Sequence, residues 1–123
     1  MKNDILALVA EDDPTHRFVI CSLLRKLDID TQRAVDGEGA VEMAAALTPS
    51  IVFMDFNMPS LDGIEATRRI KAEARTANIP IIVVTADTTQ RTRKACLDAG
   101  CAAVLVKPMT LDQMRDIVAT HVC

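Results

Sequence analysis

Four stretches of the chain, residues 5–10, 51–54, 81–84 and 102–106, run apolar without alternating with polar residues. Short apolar runs of this kind, stopped by Pro, Gly or charged residues, predict strands buried on both faces. A further stretch, 31–35, is short and mostly polar and predicts a strand at a sheet edge. Between these runs the period changes. Ile20, Leu23, Leu24 and Leu27 recur at i, i+3, i+4 and i+7, which predicts an amphipathic helix. Pro14 suits its first turn and Asp13 its N-cap. After the Asp36–Gly37 turn, the Ala-rich stretch 40–47 predicts a second helix, stopped by Pro49. A third runs from Gly63 to about Arg75, with Arg68, Arg69 and Lys71 among its polar residues. A fourth covers 89–99, closed by Gly100 as its C-terminal cap. Leu111, Met114, Ile117 and Val118 mark a last helix. Strand then helix, five times over, predicts an α/β domain: a doubly wound parallel sheet with helices on both faces.

In a parallel sheet the carboxyl ends of the strands share one rim, and ligands bind there. The first strand ends in Glu11-Asp12-Asp13, the third in Asp55, the fourth in Thr85 and the fifth in Lys107. If the first and third strands are neighbours, their carboxylates meet, and carboxylates that close repel unless a cation sits among them. Oxygen ligands select a hard ion, and Mg²⁺ suits a site of few carboxylates plus waters. A hydroxyl and an ammonium beside it would receive phosphoryl oxygens, and a free carboxylate can serve as nucleophile. Taken singly each residue has a plainer reading: Asp55 as a loop cap, Thr85 as an ordinary strand residue, Lys107 as a solvated lysine. Asp13 reads as an N-cap rather than a ligand. His16 and His121 read as helix-surface residues, and the run Arg91-Thr92-Arg93-Lys94 as a solvated helix face.

The chain of 123 residues is long enough for one domain with one core. Only 2% of it is aromatic, so the core must be built from Val, Ile, Leu, Met and Ala. A net charge of -3 implies no general affinity for nucleic acid. Cys21, Cys96, Cys101 and Cys123 have no metal-binding or redox spacing and read as small hydrophobes in a reducing compartment, with Cys123 terminal and exposed. The apolar run after Lys2 is too short for a signal peptide, and no stretch reaches the roughly 20 apolar residues that span a bilayer. A soluble cytoplasmic protein is expected.

Four pieces in order carry a resemblance: Glu11-Asp12 after an apolar strand; Met54-Asp55-Phe56-Asn57-Met58-Pro59 with Asp62-Gly63; Val84-Thr85-Ala86; and Val106-Lys107-Pro108. Each alone is weak, but together they make the chain resemble the receiver domain of two-component response regulators over nearly all its length. The resemblance implies a single receiver domain over 1–123 with a flavodoxin-like five-stranded sheet of order 2-1-3-4-5. It implies Asp55 as phosphoacceptor, and Mg²⁺ held by Glu11, Asp12, Asp55 and the backbone carbonyl of Asn57. Thr85 and Lys107 would each meet a phosphoryl oxygen, and the Lys107–Pro108 peptide is often cis in the family. The implied partner is a histidine kinase or histidine phosphotransfer protein, with no nucleic acid or membrane contact by this domain. Catalysis would be limited to its own phosphorylation and dephosphorylation. Both a stand-alone regulator and a receiver within a longer protein fit this reading.

Two positions depart from the family pattern. Glu11 stands where Asp is commoner, and Val104 stands where many receivers carry Tyr or Phe. Two other functions compete. A phosphatase using Asp55 would want a second acid two residues on, where this chain has Asn57. A nucleotide or flavin binder would want a Gly-rich loop after the first strand, where Glu11-Asp12-Asp13 has the wrong charge.

Overall fold

The computed structural model describes residues 4–122. The expectations attached to Lys2 and Cys123 lie outside the described residues. Ten elements alternate: β1 Leu6–Ala10, α1 Pro14–Lys26, β2 Asp30–Ala34, α2 Gly37–Leu47, β3 Ile51–Asp55, α3 Gly63–Ala72, β4 Ile81–Thr85, α4 Gln90–Ala99, β5 Ala103–Val106 and α5 Leu111–His121. The five strands are parallel in the order β2-β1-β3-β4-β5. That is the doubly wound order the resemblance implies, with the expected polar strand at one edge.

Strand residues alternate between two cores because successive side chains point to opposite faces. Leu8, Val52, Met54, Ile81 and Val83 meet Ala40 and Ala44 of α2, Ala66 and Ile70 of α3 and Cys96 of α4. Val9, Ile51, Phe53, Ile82 and Val84 meet Ile20 and Leu24 of α1 and Met114 and Val118 of α5. Every residue of β3 and β4 is buried, which explains their unbroken apolar runs. The central plug is Phe53, the one fully buried aromatic side chain among the described residues, in a core otherwise made of aliphatic side chains, Met and Cys.

The helix starts follow local chemistry. Asp13 Oδ1 accepts the backbone N–H groups of Thr15 and His16 at 2.8 and 3.2 Å, so Asp13 is the N-cap of α1 with Pro14 behind it. Asp36 and Asp62 cap α2 and α3 in the same way, and Thr110 forms a reciprocal capping box with Gln113 at α5. Asp36 places Gly37 inside α2 rather than in the expected turn. Gly100 closes α4 at a φ of 109°, a left-handed conformation that glycine adopts without strain.

The third helix stops at Ala72, short of the expected Arg75. Residues 72–75 are good helix formers, but tertiary bonds prevail over their propensity. Thr76 Oγ1 donates to the Ile70 carbonyl at 2.6 Å, and Lys71 Nζ donates to the carbonyls of Ala77 and Ile79 at 2.9 and 2.5 Å. These bonds turn the chain back towards β4. Lys71 is therefore a half-buried tether rather than a solvated residue, and its burial pushes its pKa down.

Candidate functional site

The carboxyl ends of β1, β3, β4 and β5 form a cleft of about 330 Å³ lined by Glu11, Asp12, Asp55, Asn57, Thr85 and Lys107, together with Asp13, His16 and Ala86. All six residues singled out in the sequence therefore meet. β1 and β3 are neighbours, paired from Ala7–Ile51 to Ala10–Met54, so Glu11 and Asp12 leave β1 beside the end of β3. The Phe56 N–H donates to the Val84 carbonyl at 3.0 Å, and the Lys107 N–H to the Thr85 carbonyl at 2.9 Å. The sheet ladder thus continues to the residues that carry the chemistry and fixes their spacing.

The loop after β3 closes on itself. The Gly63 N–H returns to the Phe56 carbonyl at 3.0 Å, and a Cβ at Gly63 would lie 2.3 Å from the Asp55 carbonyl oxygen. Only glycine lets the start of α3 press this closely on the residue bearing the central carboxylate.

Glu11, Asp12 and Asp55 each present a carboxylate oxygen, all within 4.8 Å of one another. Glu11 and Asp55 are buried and Asp12 is exposed. Lys107 lies across the group: its Nζ donates to Glu11 Oε1 at 3.0 Å and to Asp55 Oδ1 at 3.2 Å. Burial holds the Glu11 carboxyl above the ordinary glutamate value; the Lys107 bond opposes this, and the Asp55 charge adds to it. Burial alone would lower the Lys107 ammonium pKa, but its bond to Glu11 and the charges of Asp55 and Glu11 together raise it.

Three carboxylates against one ammonium leave two negative charges uncompensated, the charge of one divalent cation. The donors are all hard oxygens. The residues present therefore fit Mg²⁺, with water completing its shell.

Thr85 is buried, and its Oγ1 accepts the Asp87 N–H at 3.1 Å. The Asp87 carboxylate in turn accepts the Thr89 N–H at 2.8 Å and the Thr92 hydroxyl at 2.7 Å, and those bonds, the Thr89 N–H foremost, push its pKa down. Thr92, in the first turn of α4, is thus buried and bonded to the β4–α4 turn, while its neighbours Arg91, Arg93 and Lys94 are exposed as expected. Val104 pairs with Val83 in the sheet and packs partly buried on the α2–α3–α4 side. The Lys107–Pro108 peptide is cis.

His16 is the residue that sequence reasoning missed. It lies in the first turn of α1, half exposed, yet its Nδ1 is 3.1 Å from Lys107 Nζ and 3.8 Å from Glu11 Oε1. Nothing in the linear sequence links two residues 91 positions apart.

A family model for the response regulator receiver domain matches residues 7–119. A protein-glutamate methylesterase/protein-glutamine glutaminase of Myxococcus xanthus is 46% identical over 89% of this chain, which spans 31% of that protein. The crystal structure of the receiver domain of a sensor histidine kinase from Pseudomonas aeruginosa, with a magnesium ion coordinated in its active-site cleft, superposes with a TM-score of 0.90 at 34% identity, covering 97% of this chain and 98% of that one. A Saccharomyces cerevisiae receiver domain crystallised with its histidine phosphotransfer protein matches at a TM-score of 0.88 and 27% identity, over 100% of this chain and 92% of that one. Among the described residues no helix is long and apolar enough to cross a membrane.

Proposed function

Since the chain belongs to the response regulator receiver domain family, we propose that Asp55 is the residue on which it accepts a phosphoryl group. The observation that carries this reading is the placement of Asp55: last residue of β3, in contact with Lys107, and clustered with Glu11 and Asp12. A carboxylate Oδ of Asp55 attacks phosphorus, a P–O bond forms, and the P–N bond to the donor's imidazole breaks with its electron pair. The product is an aspartyl phosphate.

Each neighbour has a part in that exchange. Glu11, Asp12, Asp55 and the Asn57 carbonyl are the groups that would hold Mg²⁺. When bound, the ion supplies positive charge where the incoming phosphoryl oxygens gather. The Lys107 ammonium, already within 3.2 Å of Asp55, offers a charge-assisted hydrogen bond to one of those oxygens. Thr85 Oγ1 accepts the Asp87 N–H and keeps its own hydrogen to donate to another.

Catalysis here is limited to the domain's own phosphorylation and dephosphorylation. A general phosphatase would need an acid where Asn57 stands, and methylesterase activity is a property of a relative of which this chain spans less than a third. The proposed phosphodonor is a phosphohistidine on a histidine kinase or phosphotransfer protein, the kind of partner seen with the yeast relative. Residues 1–123 are read as a single receiver domain working in the cytoplasm.

The test is phosphorylation by a small acyl phosphate with Mg²⁺ and with chelator. Phosphoprotein should form only with the metal, whose binding should be weak because few protein ligands are available. Equal rates in both conditions would remove the metal from the reaction and with it the role given to Glu11 and Asp12.

A further inference from the structure

The Lys107 ammonium has three hydrogens and, among the described residues, three partners: Glu11 Oε1 at 3.0 Å, Asp55 Oδ1 at 3.2 Å and His16 Nδ1 at 3.1 Å. An ammonium has no lone pair, so in a hydrogen bond between the two Nδ1 is the acceptor and the ring proton sits on Nε2. The first two partners are the carboxylates that a cation and a phosphoryl group would claim. His16 is the only one of the three outside the acidic cluster.

We propose that His16 is a positioning residue: its Nδ1 holds the Lys107 ammonium at the cleft while a cation takes up Glu11 and Asp55, so that the ammonium is in place for the incoming phosphoryl oxygen. This rests on the assignment of Asp55 and Lys107 above. Without a third acceptor, a lysine side chain that lost both carboxylate partners would swing to solvent, because four flexible bonds favour the disordered chain. The placement of His16 is itself fixed. Its N–H is bound by the Asp13 cap, and Arg17, the next residue, donates from Nη1 to the Glu11 carbonyl at 2.9 Å. The first turn of α1 is thereby tied to the β1 end from which Glu11 projects. His16 also stands between the acidic cleft and an apolar groove lined by Val19, Ile20, Pro108 and Met109.

The experiment compares His16→Leu and His16→Asn, each alone and combined with Lys107→Met, in phosphorylation by acetyl phosphate with Mg²⁺. The Asn amide oxygen sits as many bonds from Cα as Nδ1 and can accept the same hydrogen. His16→Leu should slow the reaction by about three- to tenfold, the worth of a partly exposed bond to a charged group. His16→Asn should restore the rate to within about twofold, and His16→Leu should cost nothing further in the Lys107→Met background. A wild-type rate in His16→Leu, a His16→Asn as slow as the Leu variant, or a full loss persisting in Lys107→Met would overturn the proposal.

A second readout needs no phosphorylation. Two-bond ¹H–¹⁵N spectra of the wild-type chain should show His16 bare at Nδ1 and protonated at Nε2. With Mg²⁺ added, the Lys107 ¹⁵Nζ signal should persist in wild type and His16→Asn and broaden away by exchange in His16→Leu. A His16 protonated at Nδ1 alone, or a Lys107 signal indifferent to His16→Leu, would refute the contact. If the wild-type chain takes up no phosphate at all, the reading of Asp55 fails, while these spectra still decide the role of His16.

Discussion

Replacing Glu11 by Gln should stabilise the metal-free protein at neutral pH, although it removes half of a buried ion pair. Glu11 is fully buried and stands 3.0 Å from Lys107. At an effective dielectric near 20 that attraction is about 5–6 kcal/mol. The Asp55 carboxylate, within 4.8 Å, repels Glu11 by about 3–4 kcal/mol on the same basis. Roughly 2 kcal/mol then remains against a desolvation cost of several kcal/mol for the buried ion. Gln keeps an oxygen for Lys107 and drops the charge, but turns an amide hydrogen towards the Asp13 N–H that Glu11 Oε2 accepts at 3.3 Å. With about 1 kcal/mol deducted for that lost bond, the expected gain is about 1–2 kcal/mol. At about 4 °C per kcal/mol for a chain of this size, the midpoint should rise by about 4–8 °C.

The gain has a sign in pH. Burial raises the folded-state pKa of Glu11 above the ordinary 4.5, so below 4.5 both states are protonated and the wild type carries no penalty. Wild-type stability is lost as pH rises from there through the folded-state value. The variant's advantage should therefore be absent at pH 4, grow above 4.5 and level off only once the pH has passed the folded-state value. Lys107 works in the opposite window: its raised pKa contributes stability below 10.5 that is lost as pH climbs through the folded-state value. Thermal unfolding of both proteins in chelator, from pH 4 to 8, is the assay. Destabilisation at pH 7.5, or a gain that ignores pH, would refute the reasoning.

Gly63→Ala should destabilise by about 1–3 kcal/mol in urea unfolding, because its Cβ would lie 2.3 Å from the Asp55 carbonyl oxygen; it should also slow phosphorylation by shifting Asp55. Thr92→Val removes a donor to Asp87, and the Asp87 carboxyl should move up towards its ordinary value in a carbon-detected NMR titration. Val104 has few rotamers, so amide shifts on adding beryllofluoride should concentrate in segments 87–91 and 107–110; large changes centred on Val104 would contradict this.

The residues that pack were legible because their periodicity is their function. The unbroken apolar runs of β3 and β4 are buried throughout, and the polar run of β2 lies at the edge. The cleft was legible because parallel strands deliver their ends to one rim, so Glu11, Asp12, Asp55, Thr85 and Lys107 had to converge once β1 and β3 were neighbours. What escaped depends on contacts between residues far apart in the chain or on turns without periodicity. His16 is set apart from a solvated helix residue by Lys107, and Thr92 from its charged neighbours by its bond to Asp87. The end of α3 is set by where Lys71 and Thr76 find carbonyls, not by helix propensity.

The most direct test is to find the phosphorylated residue itself. The chain is phosphorylated with acetyl phosphate and Mg²⁺, treated with borohydride, which reduces an acyl phosphate to the alcohol, and digested for mass spectrometry. The account predicts homoserine at position 55 and nowhere else, and an Asp55→Asn chain that folds normally and yields none. Phosphate at full stoichiometry in Asp55→Asn, or homoserine at position 12 in the wild type, would contradict it.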